Sequence, residues 1–233
     1  MKFFVDTADL AEIEEAASWG VLAGVTTNPS LYAKIGGRVA DFPAHIQRIC
    51  KVTKGPVSAE AISTCRDDII REGRQLAALA PNVVVKIPVS TAGLAACRVL
   101  ADECISVNMT LIFSVPQAVM AARAGARFLS PFVGRFDDIG GDGIGELQAI
   151  IDALTNYDWR DAGIAEPVGG SLQQAPEIIA ASIRTVQHVS AAALVGADIA
   201  TVPFNVLRKC LEHPLTSKGM EAFVRDWEKV SQA

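Results

Sequence analysis

The sequence predicts a single (β/α)8 barrel, a fold in which eight parallel strands alternate with helices around one core. Short runs rich in β-branched residues alternate with longer helical patterns along nearly the whole chain, which is typical of a parallel sheet covered by helices. No stretch rich in proline or serine divides the 233 residues, so we expect one domain over 1–233. The alternative is a doubly wound open sheet, but no G-x-G-x-x-G motif follows the first strand.

Eight segments carry the strand pattern, and helical segments connect them. We expect strands at KFFVD (2–6), AGVTT (23–27), VSAEAI (57–62), VVVKI (83–87), CISVNMT (104–110), RFLSPF (127–132), EIIAAS (177–182) and DIATVP (198–203). The stretch 158–176 has the least pattern and predicts a long loop before strand seven, at the face of the barrel opposite the strand C-termini. An extra amphipathic helix at about 214–231 needs a covering surface, which a neighbouring subunit would provide.

Composition argues against several classes of function. The formal net charge is −5, whereas nucleic-acid binding usually needs a basic surface. No apolar stretch reaches the roughly 18 residues of a membrane span, and an aspartate at position 6 interrupts any signal peptide, so we expect neither. The five cysteines lack metal-type spacing and indicate the reduced thiols of a cytoplasmic protein. The three histidines are far apart, so no zinc site is expected.

Polar side chains gather where the predicted strands end. Residues i and i+2 of a strand share a face, and the active sites of barrels lie at the C-terminal ends of the strands. By this parity, the side chains that point inward near these ends are those of Asp6, Thr26, Asn28, Ser58, Glu60, Lys86, Asn108, Thr110, Ser130, Phe132 and Ser182, with Arg184 just beyond. So many polar groups at one end of one barrel predict a functional site.

Lys86 is the most unusual of these residues, because it interrupts the apolar strand VVVKI. Lysine is almost never fully buried without a partner, so either the amine reaches water or the protein uses it in a weakly charged state. Burial disfavours the ammonium form, and the neutral amine is the form that attacks a carbonyl carbon. With Asp6 and Glu60 to move protons, the set predicts Schiff-base chemistry. The hydrogen-bonding groups suited to sugar hydroxyls are Asn28, Asn108, Thr110 and Ser130.

Several of these residues also have a purely structural interpretation. Asp6 with Thr7 has the composition of a helix N-cap, and Asn28 followed by proline is a good N-cap as well. Glu60 is equally consistent with a solvated strand end, and a lysine at position 86 can extend its amine to water.

Two arginines and an acidic loop follow strands six and seven. Arg135 and Arg184 are surface arginines by default, but at strand ends beside Ser182 they suit a phosphate group. The loop RFDDIGGDGIGE (135–146) lacks the ligand spacing of a calcium loop, so we expect no metal site there. We expect its glycines to let the loop close over a substrate.

Motifs along the whole chain resemble those of the small transaldolases. They are MKFFVDTAD, GVTTNPSL, VSAEAIST, NVVVKIPV, SPFVGRFDDIGGDG, IIAASIR, VGADIATVPF and HPLTSKG. The resemblance implies a class I aldolase-like barrel whose Schiff-base lysine is Lys86 and whose acid/base carboxylates are Asp6 and Glu60. It implies substrate-binding positions at Thr26, Asn28, Asn108, Thr110 and Ser130, and phosphate-binding positions at Arg135, Ser182 and Arg184. It also implies sugar-phosphate substrates, no cofactor, and a homo-oligomer that is a pentameric ring or a decamer.

A sister group in this family resembles the chain but acts as fructose 6-phosphate aldolases, which release free dihydroxyacetone. Those enzymes generally have glutamine where this chain has Glu60 and tyrosine where it has Phe132. Both differences favour transfer of a dihydroxyacetone unit, with sedoheptulose 7-phosphate, fructose 6-phosphate, erythrose 4-phosphate and glyceraldehyde 3-phosphate as the implied substrates of the pentose phosphate pathway. The alternative from another class is a non-catalytic sugar-phosphate-binding barrel, which the combination of lysine, carboxylates and phosphate residues disfavours.

Overall fold

The computed structural model of the protein describes residues 1–157 and 175–231. Over these residues eight strands form a closed barrel in chain order, with β1 paired to β8 and every neighbouring pair parallel. The strands are β1 (Lys2–Asp6), β2 (Leu22–Thr26), β3 (Val57–Glu60), β4 (Val83–Pro88), β5 (Val107–Ile112), β6 (Phe128–Pro131), β7 (Glu177–Ala180) and β8 (Ile199–Val202). The predicted (β/α)8 barrel is therefore confirmed.

Helices connect the strands on the outside of the barrel. They are α1 (Leu10–Ser18), α2 (Pro29–Lys34), α3 (Phe42–Val52), α4 (Arg66–Ala77), α5 (Thr91–Asp102), α6 (Val115–Arg123), α7 (Val133–Asp137), α8 (Gly143–Thr155), α9 (Val186–Leu194), α10 (Phe204–Lys209) and α11 (Pro214–Ser231), with a short 3-10 turn at Val39–Asp41. Many begin at a side chain that accepts a hydrogen bond from a backbone N–H of the first turn. These N-caps are Asp9, Asn28, Ser90, Ser114, Asp142 and Thr185.

Strand five begins later than its sequence predicts, at Val107 instead of Cys104. The preceding residues still belong to the end of α5: Cys104 has a φ of +61°, and the N–H of Ile105 donates to the carbonyl oxygen of Leu100. A left-handed residue with such a bond closes a helix C-terminus. The turn that closes α5 therefore includes Cys104 and Ile105, and the strand begins only after it.

The core has two layers, one between the sheet and the helices and one inside the barrel. The inner layer consists of Phe4, Val84, Phe128, Ile179 and Ile199, all nearly fully buried. Gly24 makes room for it, because a Cβ at this position would lie 2.6 Å from the ring of Phe4. This apolar layer fills the barrel below its C-terminal rim, so the inward side chains two positions further along these strands lie above it.

The C-terminal helix α11 lies where the sequence predicts it and buries none of its residues. Its large apolar side chains Leu215, Met220, Phe223, Val224, Trp227 and Val230 are all exposed. Most of the loop predicted at 158–176 lies outside the described residues. Within the described part of the chain, no helix has both the length and the apolar composition needed to cross a membrane.

Candidate active site

A cavity of about 100 Å³ lies at the C-terminal ends of the strands. It is lined by Asp6, Thr26, Asn28, Lys86, Ser130, Phe132, Arg135, Ala181, Ser182 and Thr201. Five of these residues follow a member of the inner apolar layer by two positions, so their side chains stand directly above that layer. The cavity therefore has an apolar floor and a mostly polar wall.

Lys86 is buried in the wall of this cavity, with 5% of its surface exposed. Its Nζ lies 3.0 Å from Oε2 of Glu60 and donates a hydrogen bond to the backbone oxygen of Thr27 at 3.1 Å. The parallel register of β3 and β4 places Glu60 directly beside Lys86. Removing both charges from water costs several kcal/mol per ion, and their attraction offsets this cost only with good geometry. Such a pair is therefore better explained by chemistry than by stability.

Asp6 lies in the same wall, at the end of β1. The hydroxyl of Thr26 donates to its Oδ1 at 2.7 Å. Burial raises the pKa of Asp6 above its ordinary value, although the Lys86 ammonium and the Thr26 hydrogen bond oppose the rise. A carboxyl group with a raised pKa is suited to exchange protons with a substrate near neutral pH.

The sequence allowed both Asp6 and Asn28 to be helix N-caps, and only Asn28 is one. Helix α1 is capped by Asp9, whose carboxylate accepts from the N–H of Ala11, so Asp6 does not cap it. Asn28 does cap α2, because its Oδ1 accepts from the N–H of Leu31 at 2.9 Å. The same residue also lines the cavity, so the structural role of Asn28 does not exclude a functional one.

A buried polar network lies beside the cavity. Nδ2 of Asn108 donates to Oγ of Ser58 at 3.1 Å, and Oγ of Ser130 donates to Oδ1 of Asn108 at 2.8 Å. Ser130 reaches the cavity, whereas Asn108 supports it from behind. Thr110 is also outside the lining, and its buried hydroxyl has no hydrogen-bond partner among the described residues.

The three residues expected to bind phosphate are only partly assembled. Arg135 and Ser182 line the cavity, but Arg184 does not. Both terminal nitrogens of Arg184 instead donate to the carboxylate of Asp138, with Nη2 2.6 Å from Oδ2. The hydrogen bonds from Arg184 hold the pKa of Asp138 below its ordinary value, and the charges of Arg184 and Arg135 add to the effect. One aspartate therefore faces both arginines.

Ser182 and Gly134 meet at a tight backbone junction beside these arginines. Ser182 has a φ of +58°, a left-handed conformation that costs a non-glycine residue about 1–2 kcal/mol. The N–H of Gly134 donates to its carbonyl oxygen at 3.1 Å. A Cβ on Gly134 would lie 2.4 Å from that oxygen and 2.9 Å from Nε of Arg184. The absence of a side chain at Gly134 thus lets both residues approach α7.

Phe132 places an apolar ring in the otherwise polar wall. It follows β6 directly and continues the ladder through a parallel bridge to Ala181. The guanidinium carbon of Arg135 lies 5.1 Å from the centre of its ring, a cation–π distance. The ring of Phe113 packs edge-on against it at 5.7 Å. The contacts with Arg135 and Phe113 hold the ring of Phe132 in place.

The aspartates of the loop 135–146 hold helix α8 and Arg184. Oδ1 of Asp137 accepts from the N–H of Gly143 at 2.8 Å, and Oδ1 of Asp142 accepts from the N–H of Gly145 at 2.9 Å. Nowhere in residues 1–157 and 175–231 do three or more His, Cys, Asp or Glu side chains form a group that fits a metal ion. Closure of this loop over a substrate stays a prediction.

A second cavity, of about 540 Å³, adjoins the first and shares Asn28 with it. Glu60 lines this second cavity, together with apolar side chains from α2, α3 and α4. Those apolar residues include Tyr32, Phe42, Leu76 and Leu79. Glu60 therefore stands between the larger cavity and the amine of Lys86.

Thr201 is a cavity residue that the sequence reasoning missed. It lies on β8 with 3% of its surface exposed, and its hydroxyl oxygen is 2.5 Å from that of Thr26. The alternation of the strand IATV places it on the same face as Ile199, which points into the barrel. The same parity rule that selected the other positions would therefore have selected Thr201.

The fold and the site together define a (β/α)8 barrel with a buried lysine and two carboxylates at the C-terminal ends of its strands. The family profile described as Transaldolase/Fructose-6-phosphate aldolase matches residues 3–233. A probable transaldolase from Syntrophobacter fumaroxidans is 51% identical over 233 residues, covering 100% of this chain and 99% of that protein. A probable transaldolase from Bacillus cereus is 50% identical over 232 residues, covering 100% of both chains. The chain belongs to the transaldolase/fructose-6-phosphate aldolase family.

A solved structure is similar at the level of the fold. The crystal structure of a putative fructose-1,6-biphosphate aldolase from Coccidioides immitis matches with a TM-score of 0.55, over 93% of this chain and 81% of that one. The two sequences are 14% identical, so this likeness supports the barrel architecture alone.

Proposed function

We propose that this protein is a transaldolase that moves a dihydroxyacetone unit between sugar phosphates through a Schiff base on Lys86. The observation that carries the proposal is the buried amine of Lys86, 3.0 Å from the carboxylate of Glu60 and in one cavity with Asp6. The full-length relatives named probable transaldolase support a transaldolase-type enzyme. The lysine, the substrates and the pathway are inferred from the chemistry of the site and the family resemblance.

The first half of the reaction forms the covalent intermediate. Lys86 gives a proton to Glu60, directly or through a water molecule, and the neutral amine attacks the C2 carbonyl carbon of a ketose phosphate. The resulting carbinolamine loses water with Glu60 as the proton source, which leaves a protonated imine. The imine carries the positive charge that the next step needs.

The second half breaks and remakes one carbon–carbon bond. Asp6 accepts the proton of the C4 hydroxyl while the C3–C4 bonding electrons move towards the imine nitrogen, so an aldose phosphate leaves and an enamine of dihydroxyacetone stays on Lys86. The enamine carbon attacks the carbonyl of a second aldose phosphate, and Asp6 returns its proton to the new hydroxyl. Water then hydrolyses the imine. No cofactor takes part, because the lysine itself accepts the electrons.

The substrate set follows from the wall of the cavity and from the family. Asn28 and Ser130 offer hydrogen bonds to sugar hydroxyls, and Arg135 with Ser182 offers charge and a hydroxyl to a phosphate. We therefore propose sedoheptulose 7-phosphate or fructose 6-phosphate as donor, and glyceraldehyde 3-phosphate or erythrose 4-phosphate as acceptor, in the pentose phosphate pathway. The cytoplasmic location expected from the cysteines stays a prediction.

The nearest alternative is an aldolase that releases free dihydroxyacetone. The carboxylate of Glu60 and the ring of Phe132 favour transfer, since a phenyl group beside the enamine supplies no proton. A non-catalytic sugar-phosphate-binding barrel is the other alternative. It does not account for the burial of Lys86 against Glu60, which costs several kcal/mol per ion in lost hydration.

Borohydride trapping tests the proposal. The protein is incubated with fructose 6-phosphate and sodium borohydride, and the modified peptide is identified by mass spectrometry. We expect a dihydroxyacetone-derived mass on Lys86 and on no other lysine. Lys86→Arg should lose both the label and turnover, because guanidinium stays protonated, whereas Lys209→Arg, on the exposed side of α10, should retain both. A label on Lys34 or Lys209, or none, would refute the Schiff base on Lys86.

We further propose that the chain assembles into a homo-oligomer, a pentameric ring or a decamer, through α11. Met220, Phe223, Val224 and Trp227 follow one another at helical spacing, and Phe223 and Trp227 are 76% and 72% exposed. An apolar stripe of this size on a helix that buries no residue of its own chain needs a partner surface. A second copy of the chain is the partner expected for the family.

Sedimentation equilibrium tests the assembly. We expect the mass of five or ten chains of 24.6 kDa each. Phe223→Ser combined with Trp227→Ser should dissociate the assembly, whereas Glu221→Ser combined with Glu228→Ser, on the same helix, should not. A parent protein that sediments as a monomer would contradict the proposal.

A further inference from the structure

Three side chains from adjacent strands form a continuous hydrogen-bonded chain that ends at Asp6. Thr201 on β8, Thr26 on β2 and Asp6 on β1 lie together because β1 pairs with both β2 and β8. The two threonine hydroxyl oxygens are 2.5 Å apart, and that of Thr26 is 2.7 Å from Oδ1 of Asp6. Both threonines are buried, with 3% or less of their surface exposed.

The number of protons in this chain fixes its direction. A threonine hydroxyl has one proton to donate, and a carboxylate can only accept. While Asp6 is ionised, Thr26 must donate to it, and the contact between the two threonines can then form only if Thr201 donates to Thr26. Hydrogen bonds in series polarise one another in a low-dielectric interior. Thr201 therefore strengthens the bond that Thr26 makes to Asp6 without touching Asp6 itself.

We propose that Thr201 is a positioning residue of the active site, which keeps Asp6 in the proton-accepting carboxylate form by donating to Thr26. The inference rests on the proposed function, in which Asp6 takes the proton of the substrate hydroxyl. Nothing in the sequence motifs or in the family resemblance assigned a role to this residue of β8.

The charges around Asp6 make this contribution matter. The charged groups that face it are Lys86 on β4, Glu60 on β3 and Lys34 on α2. The two lysines favour the carboxylate, whereas Glu60 and burial favour the protonated acid, and burial has the largest effect. Because the pKa of Asp6 is raised on balance, each hydrogen bond donated towards it extends the pH range in which it can act as a base.

The test is the pH dependence of kcat/KM for Thr201→Val, which keeps the shape of the side chain and removes its donor. We expect the acid limb of the profile, which reports the free enzyme, to move to higher pH. On that limb kcat/KM should be roughly three- to tenfold below the parent, which corresponds to one neutral hydrogen bond, and on the plateau less than about twofold below it. Thr201→Ser should restore the parent profile, because serine also donates.

Two controls separate this inference from the proposed function and from general damage. Thr53→Val removes a buried hydroxyl that has no described partner and does not line the cavity. It should therefore leave the acid limb of the kcat/KM profile at the pH of the parent. Borohydride should still label Lys86 in Thr201→Val. If the parent itself shows neither label nor turnover, the proposed function has failed; if the parent is active and the limb of Thr201→Val coincides with it, the role of Thr201 has failed.

Uniform losses at every pH would likewise overturn the inference, because they would assign Thr201 to packing alone. If the valine variant does not fold, Thr201→Cys replaces it, since a thiol is a weaker donor. The acid limb of Thr201→Cys should then lie at higher pH than that of Thr201→Ser. Acid limbs at the same pH would overturn the proposal.

Discussion

Arg184 and Asp138 form a two-pronged ion pair outside the cavity that Arg135 and Ser182 line. Both partners are half-exposed, each with 48% of its side chain accessible. Exposed ion pairs contribute little to stability, so Arg184 can exchange this contact for another anion. In the free protein the guanidinium of Arg184 is thus bound to Asp138, and a substrate phosphate has to compete with this carboxylate for it.

Replacing Asp138 should tighten the binding of phosphorylated ligands. In Asp138→Asn the guanidinium of Arg184 loses its competitor, so the inhibition constant of inorganic phosphate and the KM of fructose 6-phosphate should both fall by up to about fivefold, the equivalent of one exposed ion pair. Asp67→Asn removes the same charge from an exposed pair with Arg66 on another helix and should change neither constant. Constants that rise in Asp138→Asn would show that the aspartate orients Arg184 for phosphate instead of competing with it.

Replacing Arg135 should weaken the same ligands more strongly. Arg135 lines the cavity, so Arg135→Ala should cost a phosphorylated substrate roughly 1.5–3 kcal/mol, the contribution of hydrogen bonds to charged groups. Non-phosphorylated dihydroxyacetone, offered as donor in the aldol direction, should lose far less. Steady-state kinetics with both donors measures the difference, and equal losses would remove the phosphate role from Arg135.

The pairing of Lys86 with Glu60 predicts strong coupling between them. Lys86→Met leaves the carboxylate of Glu60 with 13% exposure and no described cation against it, so the free energy of unfolding should fall by about 3 kcal/mol. Adding Glu60→Gln to Lys86→Met should recover most of that loss. Urea denaturation of the two single variants and the double variant gives the coupling energy, and Lys209→Met serves as the exposed control. Additive effects would show that the two charges do not depend on each other.

Strand parity explains how much of the site the sequence reveals. Lys86 stands out because it interrupts a buried strand, and the positions i and i+2 from it and from its neighbours predict most of the cavity wall. Thr201 obeys the same parity, two positions after Ile199, but it was passed over because it is a single threonine in the otherwise apolar strand DIATVP. The contact that makes it notable, with Thr26, joins residues 175 positions apart.

The ion pair of Arg184 could not be predicted, for a related reason. Its partner Asp138 lies 46 positions away in a loop that contains two other aspartates, both of which bind backbone N–H groups of α8. Local pattern does not distinguish the three. Only the tertiary fold decides which carboxylate pairs with Arg184, because it brings Arg184 and Ser182 close to Gly134 in the helix that precedes Asp138.

The raised pKa of Asp6 predicts a conflict between stability and activity. The folded protein disfavours the carboxylate, so the native state loses stability as pH rises from the ordinary value of 3.8 through the folded value. Asp6→Asn removes this cost while its amide oxygen still accepts from Thr26. Its Tm should therefore exceed that of the parent by a margin that grows as pH rises above 3.8, until Asp6 is ionised in the folded parent as well, while turnover is lost.

Differential scanning calorimetry across that pH range checks the prediction. Asp9→Asn replaces an exposed helix cap that asparagine fills equally well, so its Tm should follow that of the parent. A margin for Asp6→Asn that shrinks as pH rises would contradict the direction of the pKa shift.

Phe132 predicts whether the enzyme transfers its intermediate or releases it. The ring lines the cavity together with Lys86 and Ser130, where it gives an enamine no proton donor. In the parent the intermediate should therefore persist until an acceptor aldehyde arrives. Phe132→Tyr adds a hydroxyl that can donate a proton or orient a water molecule, so this variant should cleave fructose 6-phosphate without acceptor, while transfer to erythrose 4-phosphate falls.

The measurement is release of glyceraldehyde 3-phosphate with and without erythrose 4-phosphate. Phe113→Tyr is the matched control, because that ring packs on Phe132 but does not line the cavity. If the parent already turns over many times without acceptor, the chain is an aldolase of the releasing type. If Phe132→Tyr gains nothing over Phe113→Tyr, the ring does not face the intermediate, because its edge contact with Phe113 and its stacking under Arg135 would then hold it away from Lys86.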